Sequence, residues 1–197
     1  MVKNTSFILC VIALIIMPIS LTGCNTNANS PGFSTNTPTP ALSLDDQTSI
    51  YAVVVRQLAT RDDTFGGKLK PSTLYIVRET NDKAGDPTGP DTFSTTIPQS
   101  AQNKITETLR DLASNVMWID KFEDAEFEEG ENSPAKSVKD GGAIITLGNA
   151  RLQKDGSAQV AGCIYVGSLA AGGATYVLEK KDGVWEITGT TGARWIS

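Results

Sequence analysis

Hydrophobic residues between positions 43 and 60 recur at the spacing of an α-helix. The apolar positions of this stripe are Leu44, Tyr51, Val54, Val55 and Leu58. Ser43 precedes the stripe, and Asp45 and Asp46 place two carboxylates in its first turn, as is typical of a helix N-terminus. We therefore predict a helix that begins after Ser43 and ends before Gly66-Gly67. The β-branched run 50–55 leaves a strand as the alternative.

A second helix is predicted between Pro98 and Asn115. Ile105, Leu109 and Leu112 form its apolar stripe. Pro98 suits the first position of a helix, because its missing N–H needs no partner there, and Asn115 suits the C-terminal turn.

Elsewhere the hydrophobic pattern is that of β-strands. The predicted strands cover residues 74–77, 116–119, 143–152, 158–169, 175–180 and 184–188, with a short last strand at 194–196. Asp155-Gly156 and Asp182-Gly183 are typical of tight turns, and Gly172-Gly173 is assigned to the junction before the strand at 175–180. We predict an α+β fold, in which two helices pack on a curved antiparallel β-meander within a single domain.

The segment 176–187 resembles the terminal hairpin of the cystatin-like and nuclear-transport-factor-2-like folds. In those folds, too, a strand, an Asp-Gly turn and a Trp-bearing strand close the sheet; here the turn is Asp182-Gly183 and the Trp is Trp185. The strand at 74–77 departs from the pattern, because it lies between the two helices. The resemblance implies a fold and no catalytic residue, since such folds carry many functions.

The first 24 residues have a pattern of their own. Lys3 is followed by an apolar run from Phe7 to Met17 and then by Leu21-Thr22-Gly23-Cys24, which together are typical of a signal peptide. Pro18 interrupts the run short of the roughly 20 apolar residues that a membrane span needs. The cleavage site resembles the lipobox of bacterial lipoproteins. The resemblance implies that residues 1–23 are removed and that Cys24 is acylated and binds membrane lipid.

Residues 24–41 are predicted to form a tether. They are nearly all Asn, Thr, Ser, Pro, Gly and Ala, so they cannot bury enough surface to offset the entropy of ordering them. The rest of the chain, 42–197, is long enough for one domain with its own core. We therefore expect an extracytoplasmic protein that is anchored to the cell membrane or the outer membrane by an N-terminal lipid.

Charge and composition exclude several functions. The chain has 17 Lys and Arg against 22 Asp and Glu, a formal net charge of −5, and no basic stripe, so we expect no nucleic-acid partner. It has no His, which excludes Ser-His-Asp and Cys-His catalysis and His-based zinc sites. Cys163 lies in an apolar strand and is predicted to be a buried, inert thiol. No cofactor or metal is indicated.

The segment after the first helix is the most site-like part of the sequence. Asp62 and Asp63 could share one raised pKa for acid–base chemistry or hold a ligand, and Arg56 is a third candidate residue for such a site. We favour the alternative that these carboxylates form a salt network with Arg56 and Arg61 at the helix end.

Two further patterns are weaker. The acidic run 120–131 could supply oxygen ligands to Ca²⁺, but it lacks the Gly and Glu of an EF-hand loop, so we predict a solvated loop. Ser133 and Lys136 match the Ser-x-x-Lys spacing of penicillin-recognising enzymes without the partner motifs, which indicates chance.

The aromatic residues suggest a binding surface. Trp118, Tyr165, Tyr176, Trp185 and Trp195 lie mostly in predicted strands, and several on one uncovered sheet face would line an apolar surface. We therefore favour a binding or interaction module whose ligand is an envelope protein, a glycan or a peptide. The alternatives are a small carboxylate-dependent enzyme and a structural or assembly accessory of the cell envelope.

Overall fold

The computed structural model describes residues 41–61, 69–130 and 133–197, so the predicted signal peptide and nearly all of the predicted tether lie outside the described residues. The helices are α1 (Leu44–Thr60) and α2 (Gln99–Thr108). The strands are β1 (Thr73–Val77), β2 (Asn115–Ile119), β3 (Phe127–Gly130), β4 (Ser133–Val138), β5 (Ala143–Leu147), β6 (Arg151–Leu152), β7 (Ala158–Gly167), β8 (Ala170–Lys181) and β9 (Val184–Ile196). Within this part of the chain, neither helix combines the length and the apolar character needed to cross a membrane.

Helix α1 begins where the sequence predicts. The Ser43 side chain accepts a hydrogen bond from the backbone N–H of Asp46 at 3.1 Å, which satisfies one of the unpaired donors of the first turn. The run 50–55 is helical, so the strand alternative is wrong; one face of α1 packs in the core and overrides the β-branched preference. The helix ends at Thr60, and Gly66-Gly67 lies outside the described residues.

Helix α2 is shorter than predicted. Pro98 is its N-cap rather than its first residue, and the helix ends at Thr108. The chain then turns, with the N–H of Leu112 bonded to the carbonyl of Leu109 at 2.9 Å. Asn115, predicted for the C-terminal turn of the helix, instead begins β2.

The sheet is mixed and mostly antiparallel. One edge of β7 pairs with β8 along most of its length, and its other edge meets β6, β5 and β4 in turn. β8 also pairs with β9, so β7, β8 and β9 form the predicted antiparallel meander. The sequence did not indicate the parallel part, in which β1 lies between β2 and β5. The α+β class is therefore confirmed, with a sheet more complex than a meander.

Glycine serves two different purposes in this fold. Asp182 and Gly183 have φ angles of 49° and 84° between the paired residues Lys181 and Val184, which makes the predicted two-residue hairpin turn. The predicted junction at Gly172-Gly173 is wrong, because both residues lie inside β8 and the turn is at Ser168-Leu169. Gly173 is needed for another reason. A Cβ there would lie 2.6 Å from Nε1 of Trp195 and still closer to the carbonyl oxygen of Ala84.

Alternate residues of the strands enter two different cores. Leu74 and Ile76 of β1 belong to the large core beneath α1 and α2, whereas Tyr75 and Val77 belong to a smaller core with Phe122 and its neighbours. Because successive side chains of a strand point to opposite faces, the helices cover one face of the sheet and the segment that contains β3 and β4 covers part of the other.

An ion pair connects the start of α1 to the final hairpin. The Asp46 carboxylate accepts hydrogen bonds from Nζ of Lys180 at 2.6 Å and from Nε1 of Trp185 at 2.8 Å. These two bonds hold the pKa of Asp46 at about 2, below its usual value of 3.8. The interaction joins residues from the two ends of the domain.

Substitution of Gly173 by Ala is expected to destabilise the protein by about 3 kcal/mol, because the added methyl group overlaps the backbone of Ala84. The matched control is Gly189→Ala, where a Cβ meets nothing within 4 Å and the change should be within about 0.5 kcal/mol. Urea unfolding followed by circular dichroism measures both. Equal stability of the two variants would show that the close approach at Gly173 is not a constraint.

Asp46→Asn is expected to lower the free energy of unfolding by about 1 kcal/mol at pH 7, because the amide keeps the bond from Trp185 but loses its charge. A carboxyl whose pKa is lower in the folded state stabilises the fold above its unfolded pKa. The difference from the natural protein should therefore shrink as the pH falls from about 4 to 2. Asp45→Asn is the control, since its pair with Lys104 is exposed. A difference that persists at pH 2 would contradict this assignment.

Candidate functional site

The sequence-predicted site residues are only partly within the described structure. Cys24, Asp62 and Asp63 lie outside the described residues. Arg56 is described, and it makes two hydrogen bonds of 2.8 Å with the carboxylate of Asp111 and one of 2.7 Å with the carbonyl of Thr108. Arg56 therefore joins α1 to the end of α2. Sequence spacing could not indicate Asp111 as its partner.

The two weaker patterns have structural explanations. In the acidic run, Asp120 pairs with Arg78, and Glu126 pairs with Lys139 at 2.8 Å. Part of the run is not a loop, because β3 occupies residues 127–130. Lys136 belongs to strand β4, so Ser-x-x-Lys does not open a helix. No group of three or more Cys, Asp or Glu among the described residues is placed to hold a metal ion.

The aromatic residues do not form an exposed surface. Tyr176 and Trp185 are buried, and Trp118, Tyr165 and Trp195 are half-buried. Most of them act as connectors: Trp118 donates to Thr106 at 2.9 Å, Tyr165 to the carbonyl of Lys136 at 3.2 Å, and Trp195 to the carbonyl of Ala84 at 2.9 Å. The hypothesis of an aromatic binding face is therefore wrong, because these rings pack in the protein and hydrogen-bond to other elements.

Cys163 is partly buried between neighbouring strands. Burial raises the pKa of its thiol to about 11, so the thiol remains protonated near neutral pH. The thiolate is the nucleophile of cysteine chemistry, and the environment of Cys163 therefore agrees with the predicted inert thiol.

An open groove of about 1130 Å³ is lined by α1, α2, β8 and β9. We call it the helix–strand groove. Ser49, Val53 and Gln57 lie one helical turn apart along α1, and all three line it. β9 contributes the consecutive residues 185–190. The groove thus runs beside a helix on one side and a strand on the other.

The charged residues that line the groove are balanced, with Asp45, Glu107 and Glu186 against Arg56, Arg61 and Lys104. Lys104 pairs with Asp45 at 2.7 Å, and Arg56 pairs with Asp111 at 2.8 Å. A groove with paired charges has no strong field of one sign to attract a highly charged ligand. Recognition in the groove therefore depends on shape and on hydrogen bonds.

Strand β9 is an edge of the sheet among the described strands. It has 13 residues and pairs only with β8. In an antiparallel pair, alternate N–H and C=O groups of an edge strand face away from the partner strand, and on β9 those groups remain available for another strand. Residues 187–193 contain no charged residue and no Pro. Residues 187–190 of this stretch line the groove.

A second cavity, of about 300 Å³, lies where the strands β1 and β5 end. We call it the Asn149 pocket, and its polar lining residues are Asp82, Asp86, Thr92, Asn149, Arg151, Gln159, Thr175 and Thr191. Gln159 and Thr175 alternate with residues of the core beneath the helices, so this pocket is on the opposite face of the sheet from α1.

Asn149 connects the segments that build this pocket. Its Oδ1 accepts hydrogen bonds from Thr80 at 2.8 Å and Thr95 at 2.7 Å. Its Nδ2 donates to the carbonyl of Phe93 at 2.8 Å, and its backbone N–H donates to Asp82 at 2.7 Å. One weak signal of this site is present in the sequence. The polar Asn149 and its neighbour Gly148 interrupt the strand that was predicted as continuous over 143–152.

Neither cavity can be interpreted through a known relative. Comparison of the chain with protein families, with curated proteins and with solved structures finds no match.

Proposed function

We propose that this protein is a lipid-anchored, extracytoplasmic binding module that captures an extended peptide segment in the helix–strand groove. The observation that carries the proposal is the edge of β9 at the groove, which is paired on one side only and is uncharged from residue 187 to residue 190. Peptide recognition by strand addition uses such an edge, because the backbone hydrogen bonds of the edge strand are completed by the incoming chain.

The groove supports this mode on both of its sides. A peptide paired with residues 187–190 of β9 would place alternate side chains toward α1, since side chains of a strand alternate between faces. There they would meet Val53, which is partly buried, between the polar residues Ser49 and Gln57. These neighbours suit a peptide of small apolar and uncharged polar residues.

The paired charges of the groove walls favour the same class of ligand. A strongly acidic or basic peptide would meet a groove wall whose charges are balanced and in which Lys104 pairs with Asp45 and Arg56 with Asp111. Exposed pairs of this kind contribute little stability, about 0 to 1 kcal/mol, but they cancel the field that would attract such a peptide. The ligand is therefore a neutral peptide segment.

The carboxylate-dependent enzyme remains the alternative that the sequence raises through Asp62 and Asp63. Those residues lie outside the described residues, and the described neighbour Arg56 is engaged by Asp111. The binding module is preferred because its argument rests on described groups of α1 and β9.

Anchoring follows from the N-terminal sequence. The lipobox-like Leu21-Thr22-Gly23-Cys24 and the polar residues 25–41 would tether the domain to a membrane surface. Attachment at the surface would restrict the search for peptide segments of neighbouring envelope proteins.

The peptide proposal predicts that whole protein selects binders from a display library of random linear peptides. The selected peptides should bind with dissociation constants near the micromolar range and slow amide hydrogen exchange in residues 185–190 of β9, because their own strand completes the edge. Gly189→Trp should weaken binding at least about tenfold by filling the groove, since that site has open space and no positive φ.

The control is Val184→Trp, the same bulky change on an exposed residue of β9 that does not line the groove. Its binding should equal that of the natural protein. Equal loss in both variants, or binding that Gly189→Trp does not affect, would contradict the proposed site. So would a dimer that Gly189→Trp abolishes, since β9 would then pair with a second copy of the chain.

The anchoring proposal predicts that cells labelled with radioactive palmitate incorporate the label into this protein. Cys24→Ser should remove the label and leave the unprocessed precursor, because acylation of that thiol precedes cleavage in the lipoproteins that the signal resembles. Cys163→Ser is the control and should keep the label, since that thiol is partly buried. Label retained in the Cys24 variant would contradict the proposed lipid anchor but would not bear on the proposed peptide site.

A further inference from the structure

The Asn149 pocket is a rigid structure. Asp82 begins a short 3₁₀ turn, Asp82–Ala84, whose N-cap is Asn81, and the Asn81 N–H donates to the carbonyl of Leu147 at 2.7 Å. The turn lies so close to the sheet that only glycine fits beneath it. A Cβ at Gly148 would be 2.6 Å from Oδ1 of Asp82, and a Cβ at Gly85 would be 2.5 Å from Oγ1 of Thr175. Such contacts preorganise the wall of a cavity.

Some polar groups of the pocket are fully used by the protein. Asn149 donates and accepts through all of its side-chain capacity, and the Asp82 carboxylate is bonded to Asn149 and Arg151. These two residues build the wall. Neither residue has hydrogen-bonding capacity left for a ligand.

Other polar groups are free for a ligand. Arg151 has five N–H donors, and within the described residues its guanidinium bonds only to Asp82, through Nη2. The side-chain amide of Gln159 and the hydroxyl of Thr175 have no hydrogen-bond partner in the described part of the chain. Arg151 and Gln159 are direct cross-strand partners, so their Cβ atoms are about 5 Å apart on one face of the sheet.

The charge of the pocket favours a neutral ligand. Asp82 and Asp86 outnumber the cation Arg151 by one, and hydrogen bonds from Thr88 lower the pKa of Asp86, so it remains ionised. A free anion would meet net repulsion here. A neutral molecule rich in hydroxyl groups can accept hydrogen bonds from Arg151 and donate to the oxygens of Gln159 and Asp86.

Phe93 follows the lining residue Thr92 in the chain, and its side chain is 94% exposed. Its backbone is held in place, because its carbonyl accepts from Asn149, and its neighbours Ser94 and Thr96 both bond to Glu79. The ring is therefore an exposed apolar group on a fixed backbone next to a residue of the pocket wall. Its flat face can pack against the C–H groups of a sugar ring.

We propose that the Asn149 pocket binds a neutral pyranose, either a free sugar or one residue of an envelope glycan, through Arg151, Gln159 and Thr175, with Phe93 packing against the ring. The volume of about 300 Å³ suits one such ring. The site is separate from the helix–strand groove, so the peptide proposal and this one can fail independently.

The experiment is a titration of the whole ¹⁵N-labelled protein, observed by NMR, with glucose, galactose, mannose and N-acetylglucosamine in turn. At least one sugar should bind with a dissociation constant near the millimolar range and shift the amide signals of residues 151, 159 and 175. Gln159→Leu should weaken that binding about tenfold, and Phe93→Ala about threefold to tenfold. Phe93→Ala is expected to fold like the natural protein, because the ring is exposed in the native protein.

The matched control is Gln57→Leu, the same change in the helix–strand groove, which should leave sugar affinity unchanged. The uronic acid of the sugar that binds should bind more weakly than the sugar itself. A uronic acid that binds more tightly would identify an anion site and overturn the proposal. The absence of binding by all four sugars, or a Gln159→Leu affinity equal to that of the natural protein, would overturn it as well. Comparison of the affinities for the free sugar and for its oligosaccharides shows whether the ligand is a free sugar or one residue of a glycan.

Discussion

The close packing of α1 against the sheet is the interaction on which the rest of the structure depends. Val54 and Leu58 of α1 lie directly over β7, where a Cβ at Gly162 would be 3.0 to 3.1 Å from both side chains. Each such fully buried aliphatic side chain contributes about 1.5 to 3 kcal/mol. Because the helix sits this low on the sheet, the opposite side of α1 is free to line the helix–strand groove beside β9. The core and the proposed site therefore use two sides of one helix.

Local patterns predicted the elements well, because they depend on neighbours in sequence. The cap at Ser43 and the turn at Asp182-Gly183 follow from the backbone needs of a few residues, and both are confirmed. Gly172-Gly173 shows where such reasoning fails. Glycine also serves close approach between distant segments, and the partner of Gly173 is the backbone of Ala84, which no local pattern could identify.

The sites could not be predicted, because distant contacts assemble them. Arg56 bonds to Asp111, 55 residues away, and sequence spacing could not indicate that partner. The Asn149 pocket depends on the parallel pairing of β1 with β5, which follows from topology rather than from spacing. Such a crevice at the carboxyl ends of parallel strands is where open α/β sheets bind ligands. Here that rule is an analogy, since the remainder of the sheet is antiparallel.

The distribution of charge along β9 favours pairing of its edge with another strand. Natural proteins protect long edge strands with charges, bulges or short lengths, because an open edge invites another strand. At the hairpin end, Glu186 of β9 and the neighbouring Lys180 and Lys181 of β8 give such protection. The register of β9 with β8 shifts at Thr188 and again between Thr191 and Trp195, but the stretch 187–193 carries no charge, and its residues 187–190 line the helix–strand groove. A charged end beside an uncharged stretch at the groove suits strand addition, because a neutral incoming chain meets no charged side chain of β9 along residues 187–190.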